Sequence, residues 1–280
     1  MKTHIIVDST ADLTPDIKKL ISIVPLTVRF GEEEYIDGVT INHKTFYEKL
    51  IESDVLPTTS QATPSAFEDE FQKLGKNEEA VVITISSKLS GTYQSAVIAA
   101  NSYPNVYVVD SGSAAMGSGI LCELALKLAD SGLGAKEIAE VLQKEKENIV
   151  LVALVDTLEY LKKGGRISKT VAVAGAMLNI KPVISIDKGE IKILGKARGS
   201  KMGNNLLIEE IAKAGGVDFS RPILLGYTGL SDAMLIKYIE DSKHIWEIGA
   251  ENVRYTSVGS VVGTHAGPGA VAVAFFAKRG

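Results

Sequence analysis

Residues 80–96 have the sequence AVVITISSKLSGTYQSA, which is an apolar run rich in β-branched side chains, then a hydroxyl-rich turn, then a helical pattern. Two more runs of this kind, HIIVDS (4–9) and NVYVVDS (105–111), occur in the first half of the chain among helical patterns. Short apolar strands that alternate with helices are typical of crossover units on a parallel sheet. We therefore predict an N-terminal α/β domain with a parallel sheet.

Two helix starts are marked by a threonine followed by proline, at Thr14-Pro15 and Thr63-Pro64. A hydroxyl can cap the helix, and the missing proline N–H costs nothing in the first turn. Between them, residues 22–42 alternate polar and apolar side chains around Gly31. This alternation predicts a β-hairpin insertion in the N-terminal domain.

The run IVLVALV (149–155) opens a second half with a different pattern. Residues 181–198, KPVISIDKGEIKILGKAR, predict two strands joined at Lys188-Gly189, and further helices and strands follow. We expect an N-terminal domain over about 1–150 and a C-terminal α/β domain with a mixed sheet over 151–280.

Composition excludes several classes of protein. The 280 residues contain 34 acidic and 30 basic side chains, a net charge of −4, which removes the long-range attraction that a nucleic-acid binder needs. Cys122 is the only cysteine, so neither an internal disulfide nor a cysteine metal cluster can form, and we expect a reducing compartment. The sequence has no secretion signal and no apolar run of about 18 residues, so we expect a soluble, cytoplasmic protein.

Two hydroxyl-rich segments directly precede predicted helices. One contains Thr59 and Ser60, and the other contains Ser90, Gly91 and Thr92. Helix N-termini at the carboxyl ends of parallel strands present free N–H groups to anions, so these residues are candidate ligand-binding residues. The alternative is that they are only helix caps and turn formers.

His265 lies in the segment GTHAGPGA (263–270), which is crowded with glycine and proline. We expect a rigid turn in which a ligand can approach the imidazole closely, while the alternative is a surface histidine with no role. No second histidine has ligand spacing, so we expect no metal site.

A basic cluster stands out in this acidic chain. It comprises Lys162, Lys163, Arg166 and Lys169, with Lys196, Arg198 and Lys201 further along. If the two stretches meet, they form a face suited to an acidic or phosphate-bearing partner; otherwise they are an ordinary solvated surface. Arg166 follows two glycines at a predicted helix end, so we expect its guanidinium to face solvent.

Several catalytic motifs are missing. The chain has no G-x-x-x-x-G-K-[ST] loop, no G-x-G-x-x-G after a strand, no H-E-x-x-H and no G-x-S-x-G elbow. These absences disfavour an ATPase, a dinucleotide dehydrogenase, a zincin and a standard α/β-hydrolase.

Seven segments in order resemble the bacterial DegV family across nearly the whole chain. They are VDSTADL (7–13), TTSQAT (58–63), SSKLSGTYQSA (86–96), VVDSGSA (108–114), KKGGRIS (162–168), NIKPV (179–183) and GTHAGPGA (263–270). The resemblance implies a two-domain α/β protein that holds one long-chain fatty acid between its domains. Some members of the family are the fatty-acid-binding subunit of a bacterial fatty acid kinase, in which a separate subunit phosphorylates the acyl carboxylate.

By this resemblance, Thr59 and Ser90 match the hydroxyls that hold the carboxylate, and His265 matches a nearby histidine. Arg166 and Arg198 match arginines that engage the kinase subunit. Two positions depart from the family pattern: Ala62 stands where proline is usual, and residues 202–204 are less basic than is typical.

The resemblance implies a non-enzymatic binding protein whose ligand is a fatty acid. We expect no cofactor and no stable membrane insertion, and nothing in the sequence demands more than a monomer. The alanine- and valine-rich segments 171–177 and 270–277 are candidates for the tunnel wall, although plain core is an equally valid interpretation. Two alternatives remain open. One is an acyl-ester hydrolase with Ser90 as nucleophile and His265 as base, and the other is a phosphate-binding regulatory module.

Overall fold

The computed structural model describes residues 1–167 and 180–278. The strands are β1 (Lys2–Asp8), β2 (Ser22–Val24), β3 (Thr27–Phe30), β4 (Glu33–Ile36), β5 (Thr58–Ser60), β6 (Glu78–Thr84), β7 (Val106–Asp110), β8 (Ile149–Leu154), β9 (Ile180–Asp187), β10 (Glu190–Arg198), β11 (Leu224–Tyr227), β12 (Tyr255–Ser257) and β13 (Val271–Phe276). The helices are α1 (Pro15–Lys18), α2 (His43–Glu52), α3 (Pro64–Phe71), α4 (Thr92–Ala100), α5 (Ala115–Asp130), α6 (Ala135–Glu145), α7 (Glu159–Lys163), α8 (Gly199–Lys213), α9 (Ala233–Asp241) and α10 (Ser260–Ala266).

The first sheet is parallel, with strand order β2-β1-β6-β7. Its two central strands, β1 and β6, pair over Lys2–Val7 and Glu78–Ile83, and their apolar residues are buried on both faces. Continuous apolar runs are what strands covered by helices on both sides require. The α/β prediction for the first half is confirmed, and α1 and α3 begin at the predicted prolines.

The predicted hairpin is present as β3 and β4, which turn at Gly31 with a φ of 58°. The structure differs from the predicted insertion at both ends. Residues 22–24 form β2 of the parallel sheet, and β5 adds a third antiparallel strand, giving the order β4-β3-β5. Strand β2 has only three residues, so the alternation pattern could not distinguish it from the hairpin that follows.

The second large sheet is mixed and has the strand order β10-β9-β8-β13-β11-β12. Only the β11 and β12 pair is parallel among its described strands. Strands β9 and β10 form the predicted hairpin, and Lys188 and Gly189 at its tip both have positive φ. The prediction of a mixed C-terminal sheet is confirmed. The chain enters this sheet at Ile149, the first residue of β8. The boundary between the two domains near residue 150 stays a prediction.

Helix α5 lies between the two large sheets. Leu121, Cys122 and Ala125 pack with the parallel sheet, whereas Met116 and Ile120 pack with the mixed sheet. A helix buried on two faces needs apolar side chains around most of its circumference, which is why the segment GILCELALKLA has little polar surface. Burial raises the pKa of the Cys122 thiol, so it is an inert part of the core.

The outer faces of both sheets are covered by helices. Phe67, Phe71 and Ala96 of α3 and α4 cover one face of the parallel sheet. Leu207 and Ile211 of α8, together with Leu235 and Tyr238 of α9, cover the far face of the mixed sheet. In the part of the chain that the structure describes, none of the helices is both long and apolar enough to cross a bilayer.

Candidate functional site

A cavity of about 420 Å³ lies between α5, α10 and the near face of the mixed sheet. Most of its wall is apolar. The sheet contributes Leu151, Ala153, Ile184, Ile186, Ile191 and Ala272, and the helices and loops contribute Ala115, Met116, Val155, Leu161, Val258, Val261, Val262 and Ala270. The polar side chains on the wall are Thr59, Ser60, Gln61, Ser90, Arg166, Thr228 and His265. An apolar chamber with a few polar groups is the usual form of a small-molecule site.

Alternation along β13 determines which part of the predicted tunnel wall faces the cavity. Ala270 and Ala272 line it, whereas Val271, Val273 and Phe275 pack on the other side of the sheet against α8 and α9. Successive side chains on a strand point to opposite faces, so only alternate positions of the run 270–277 can reach the ligand space. The other predicted wall, 171–177, lies outside the described residues.

Thr59 and His265 come together although they are 206 positions apart in sequence. The distance between Thr59 Oγ1 and His265 Nε2 is 3.0 Å. Thr59 lies on β5, which pairs with β3 of the small antiparallel sheet. The structure corrects the predicted context of His265: it lies in the last turn of α10, and only residues from Gly267 onward form the turn. A glycine such as Gly263 can be accommodated within a helix, and residues 260–266 contain no proline that would end it. The turn therefore starts later than the glycine-rich sequence predicted.

Burial, and then the positive charge of Arg166, lower the pKa of His265 to about 4. His265 is therefore neutral at physiological pH, so one ring nitrogen can donate a hydrogen bond and the other can accept one. The second nitrogen, Nδ1, is buried and has no hydrogen-bond partner among the described residues. No described carboxylate orients this imidazole, which a hydrolytic triad would require.

The Ser90 turn forms a second polar element of the wall. Ser90 Oγ lies 2.9 Å from Thr92 Oγ1 and accepts a hydrogen bond from the Thr92 N–H, so Ser90 is held by the first residue of α4. Thr92 itself is fully buried behind Ser90 and is not part of the wall. Gly91 packs so closely against Gln61 that a Cβ at this position would lie 2.0 Å from Gln61 Oε1. The structure thus brings Ser90, Gly91 and the β5 segment to one end of the cavity.

Arg166 is placed differently from the prediction. Its guanidinium donates hydrogen bonds to the carbonyls of Leu89 (3.1 Å) and Gly164 (2.6 Å), and the half-buried side chain lines the cavity. After the two glycines the chain turns back onto the Ser90 turn, which sequence spacing could not show. Arg198, at the end of β10, is exposed as expected of a surface residue. Lys162, Lys163, Lys196 and Lys201 are also exposed, and Lys169 lies outside the described residues.

The β9–β10 hairpin closes one side of the cavity. Ser86 Oγ donates a 2.7 Å hydrogen bond to the carbonyl of Gly189 at the hairpin tip, and Ser86 is fully buried. This contact holds Ile184, Ile186 and Ile191 over the cavity. The described residues contain no cluster of three or more His, Cys, Asp or Glu side chains able to hold a metal ion.

The chain matches a known protein family over nearly its whole length. The DegV family model matches residues 2–278. The chain belongs to the DegV family. A DegV domain-containing protein from Caldanaerobacter subterraneus subsp. tengcongensis is 35% identical over 285 residues, covering 99% of each chain.

Two solved DegV structures have the same fold. One, described as showing fatty acid binding by a DegV family protein from Thermus thermophilus, has a TM-score of 0.87 at 29% identity and is matched over 100% of its length, with 99% of this chain covered. The other is the Streptococcus pneumoniae fatty acid kinase B3 protein loaded with linoleic acid, with a TM-score of 0.86 at 24% identity over 99% of this chain and 100% of that chain. At 24% identity, the similarity to the Streptococcus pneumoniae protein shows a shared fold only.

The DegV chain also contains two buried aspartates that contact the start of α10. Asp12 accepts a 2.8 Å hydrogen bond from the N–H of Gly259, and its second carboxylate oxygen has no partner among the described residues. Asp37 accepts from Ser9 Oγ at 2.8 Å and from the N–H of Ser260 at 3.2 Å. Asp12 is part of the quoted motif VDSTADL, but nothing in that motif indicates its partner 247 residues away.

We predict that Gly164→Ala raises the pKa of His265 toward 6.5. A Cβ at Gly164 would lie 2.1 Å from His265 Nδ1, so the ring must leave its buried position and regain contact with water. A titration followed by NMR of the His265 ring protons measures this shift. Gly75→Ala is the control, because its Cβ would make only an ordinary 3.4 Å contact with Glu78. An unchanged His265 pKa in Gly164→Ala would contradict the placement of the imidazole.

We predict that Asp12→Asn gains stability relative to the wild type as the pH rises from 5 to 8. Burial raises the pKa of Asp12 from 3.8 to about 7, so the folded state binds this proton more tightly than the unfolded chain. As the pH rises from about 4 to 7, the contribution of Asp12 to the free energy of unfolding therefore falls. Asparagine does not titrate, so the variant lacks this pH dependence.

Denaturant unfolding of both proteins at several pH values measures the difference. Asp218→Asn is the control: hydrogen bonds from Ser220 lower the pKa of Asp218, so this variant should differ from the wild type by a constant amount between pH 5 and 8. A constant difference for Asp12→Asn as well would show that Asp12 ionises normally.

Proposed function

We propose that this DegV protein binds one long-chain fatty acid, with the acyl tail in the cavity and the carboxylate at Thr59 and Ser90. The observation that carries the proposal is the distribution of side chains on the cavity wall: apolar residues from the mixed sheet, α5 and α10 form most of it, while Thr59, Ser90 and His265 supply polar groups. An amphiphile with one small polar head fits this arrangement. The related Thermus protein, described as binding fatty acid, supports the choice of ligand.

The tail supplies most of the binding energy in this proposal. Burial of each CH₂ group contributes about 0.8 kcal/mol, so a tail of about 16 carbons has a gross driving force of about 13 kcal/mol before the cost of ordering it. Ala153, Ala270 and Ala272 leave room along the sheet floor, whereas larger side chains at these positions would fill the space that the tail needs. The cavity volume therefore depends on small residues in β8 and at the start of β13.

The head is held by hydrogen bonds. The hydroxyls of Thr59 and Ser90 can each donate to a carboxylate oxygen, and such charge-assisted bonds are stronger than neutral ones. Neutral His265 can donate through one ring nitrogen, and its contact with Thr59 fixes the orientation of that hydroxyl. Arg166 adds a positive charge on the same wall, which favours an anionic head over an uncharged one.

The two alternative functions fit the geometry less well. A hydrolase needs Ser90 next to its base, but Ser90 Oγ contacts Thr92 and His265 contacts Thr59. A phosphate-binding module has no use for an apolar wall of this extent. A fatty acid would use both the apolar wall, through its tail, and the polar side chains, through its carboxylate.

We further propose that the bound acid is presented to a separate fatty acid kinase subunit, which phosphorylates the carboxylate. The exposed basic residues Arg198, Lys196 and Lys201 support this role, because a cationic surface suits an acidic partner. Since Arg166 lines the cavity, Arg198 is the arginine better placed to act at the partner surface alone.

We predict that Thr59→Ala combined with Ser90→Ala weakens palmitate binding by about 5- to 150-fold, which corresponds to the loss of roughly 1–3 kcal/mol of hydrogen bonding. Isothermal titration calorimetry on delipidated protein measures the affinity. Thr58→Ala with Ser87→Ala is the matched control, because both hydroxyls neighbour the site but do not line the cavity. Equal palmitate affinity of the Thr59 and Ser90 double variant and the wild type would show that the carboxylate binds elsewhere.

We predict that Arg198→Glu keeps full palmitate affinity but supports acyl-phosphate formation at least tenfold more slowly. Reversal of this exposed charge replaces attraction to an acidic partner with repulsion. The assay mixes palmitate-loaded protein with a bacterial fatty acid kinase subunit and ATP. Lys127→Glu reverses one exposed charge near the far end of α5 and serves as the control. Full activity of Arg198→Glu would remove Arg198 from the partner surface.

A further inference from the structure

Helix α10 lacks a capping side chain of its own. Its N-cap residue is Gly259, which has no side chain to accept a hydrogen bond from the first turn. Free N–H groups at a helix start need partners when they are buried. Here the partners come from distant parts of the chain: Asp12 accepts from the Gly259 N–H, and Asp37 accepts from the Ser260 N–H.

Asp37 makes the larger set of contacts. One carboxylate oxygen accepts from both the N–H and the hydroxyl of Ser260, and the other accepts from Ser9 Oγ at 2.8 Å. Ser9 Oγ in turn accepts from the N–H of Leu26, just before β3. The side chain of Asp37 is 6% exposed, so these contacts are shielded from water. No described basic side chain is hydrogen-bonded to Asp37, and burial raises its pKa.

The backbone of Asp37 belongs to the small sheet. It directly follows β4, and its N–H donates to the carbonyl of Leu26 at 3.0 Å. β4 pairs with β3, and β3 pairs with β5, where Val28 lies opposite Thr59. The residue is therefore connected through its backbone to the sheet that carries Thr59, and through its side chain to the helix that carries His265.

Helix α10 is short and packed along its side. Ser260 to Ala266 spans about 10 Å at 1.5 Å per residue, so a shift of the first turn moves the last turn as well. A Cβ at Gly263 would lie 2.4 Å from Tyr47 Oη, which shows how closely the helix approaches α2. The position of His265 then depends on what holds the first turn.

We propose that Asp37 is a positioning residue for the carboxylate site: it ties the first turn of α10 to the small sheet and thereby sets the distance between Thr59 and His265. This inference rests on the proposed fatty acid binding, and it adds a residue that does not touch the ligand. Asp12 contacts the same turn through a single hydrogen bond, from the Gly259 N–H.

The test compares palmitate with 1-hexadecanol, which has the same tail and no charge. We expect Asp37→Ala to weaken palmitate binding by about 5- to 20-fold, as expected for loss of a few positioning hydrogen bonds, and 1-hexadecanol binding by less than about twofold. Asp37→Asn should restore palmitate affinity to within about twofold, because an amide oxygen still accepts from Ser260 and the amide N–H₂ can donate to Ser9.

A double-mutant cycle separates positioning from general stability. In a His265→Ala background, Asp37→Ala should have no further effect on palmitate affinity, because the residue that it positions is gone. Asp218→Ala is the matched control, since Asp218 accepts from the N–H and hydroxyl of Ser220 just as Asp37 does from Ser260, but lies away from the cavity. It should leave palmitate affinity unchanged.

Equal losses for palmitate and 1-hexadecanol, or a full additional loss in the His265→Ala background, would overturn the proposal and leave Asp37 as a structural residue only. If Asp37→Ala does not fold, Ser9→Ala and Ser260→Ala each remove one of its hydrogen bonds and should weaken palmitate binding with the same selectivity. A ligand-free readout keeps this test distinct from the proposed function. The His265 ring resonances should shift in Asp37→Ala and not in Asp218→Ala, even if the wild type binds no palmitate.

Discussion

The contact between Thr59 Oγ1 and His265 Nε2 joins a strand from the first quarter of the chain to a helix near its end. The rest of the architecture keeps these two elements together. The small antiparallel sheet places Thr59, α10 places His265, and Asp37 connects the two. Burial makes this contact chemically specific: with its pKa lowered to about 4, His265 stays neutral and can act as a hydrogen-bond donor without carrying charge into the cavity.

The apolar part of the cavity follows from a second constraint, the packing of α5 between two sheets. The helix contributes to a hydrophobic core on each of its two sides. Leu121 and Ala125 pack against the parallel sheet, and Met116 and Ile120 pack against the mixed sheet. Opposite its start, Ala153 and Ala272 are too small to fill the remaining space. The small side chains on the floor thus create volume that a folded core of larger residues would not leave.

Much of the fold was predictable from local patterns, because strands and helix starts are encoded by neighbouring residues. The parallel sheet, the helices at Pro15 and Pro64 and the hairpin at Lys188-Gly189 all follow from short-range signals. The site was predictable only in part. Thr59, Ser90 and His265 were selected from their segments and line the cavity, but the placement of Arg166 on the cavity wall, the helical setting of His265 and the hydrogen bonds of Asp12 and Asp37 depend on long-range contacts. No periodicity encodes a hydrogen bond between residues 37 and 260.

Native mass spectrometry of the protein, purified gently from a bacterial host, is the most direct test of fatty acid binding in the cavity. The cavity is apolar enough that a bound fatty acid should survive purification, and we predict a mass increase equal to roughly one fatty acid per chain, with the same acid recovered in an organic extract. Protein that carries no added mass, gives an extract free of fatty acid and remains unchanged in mass after incubation with palmitate would contradict it.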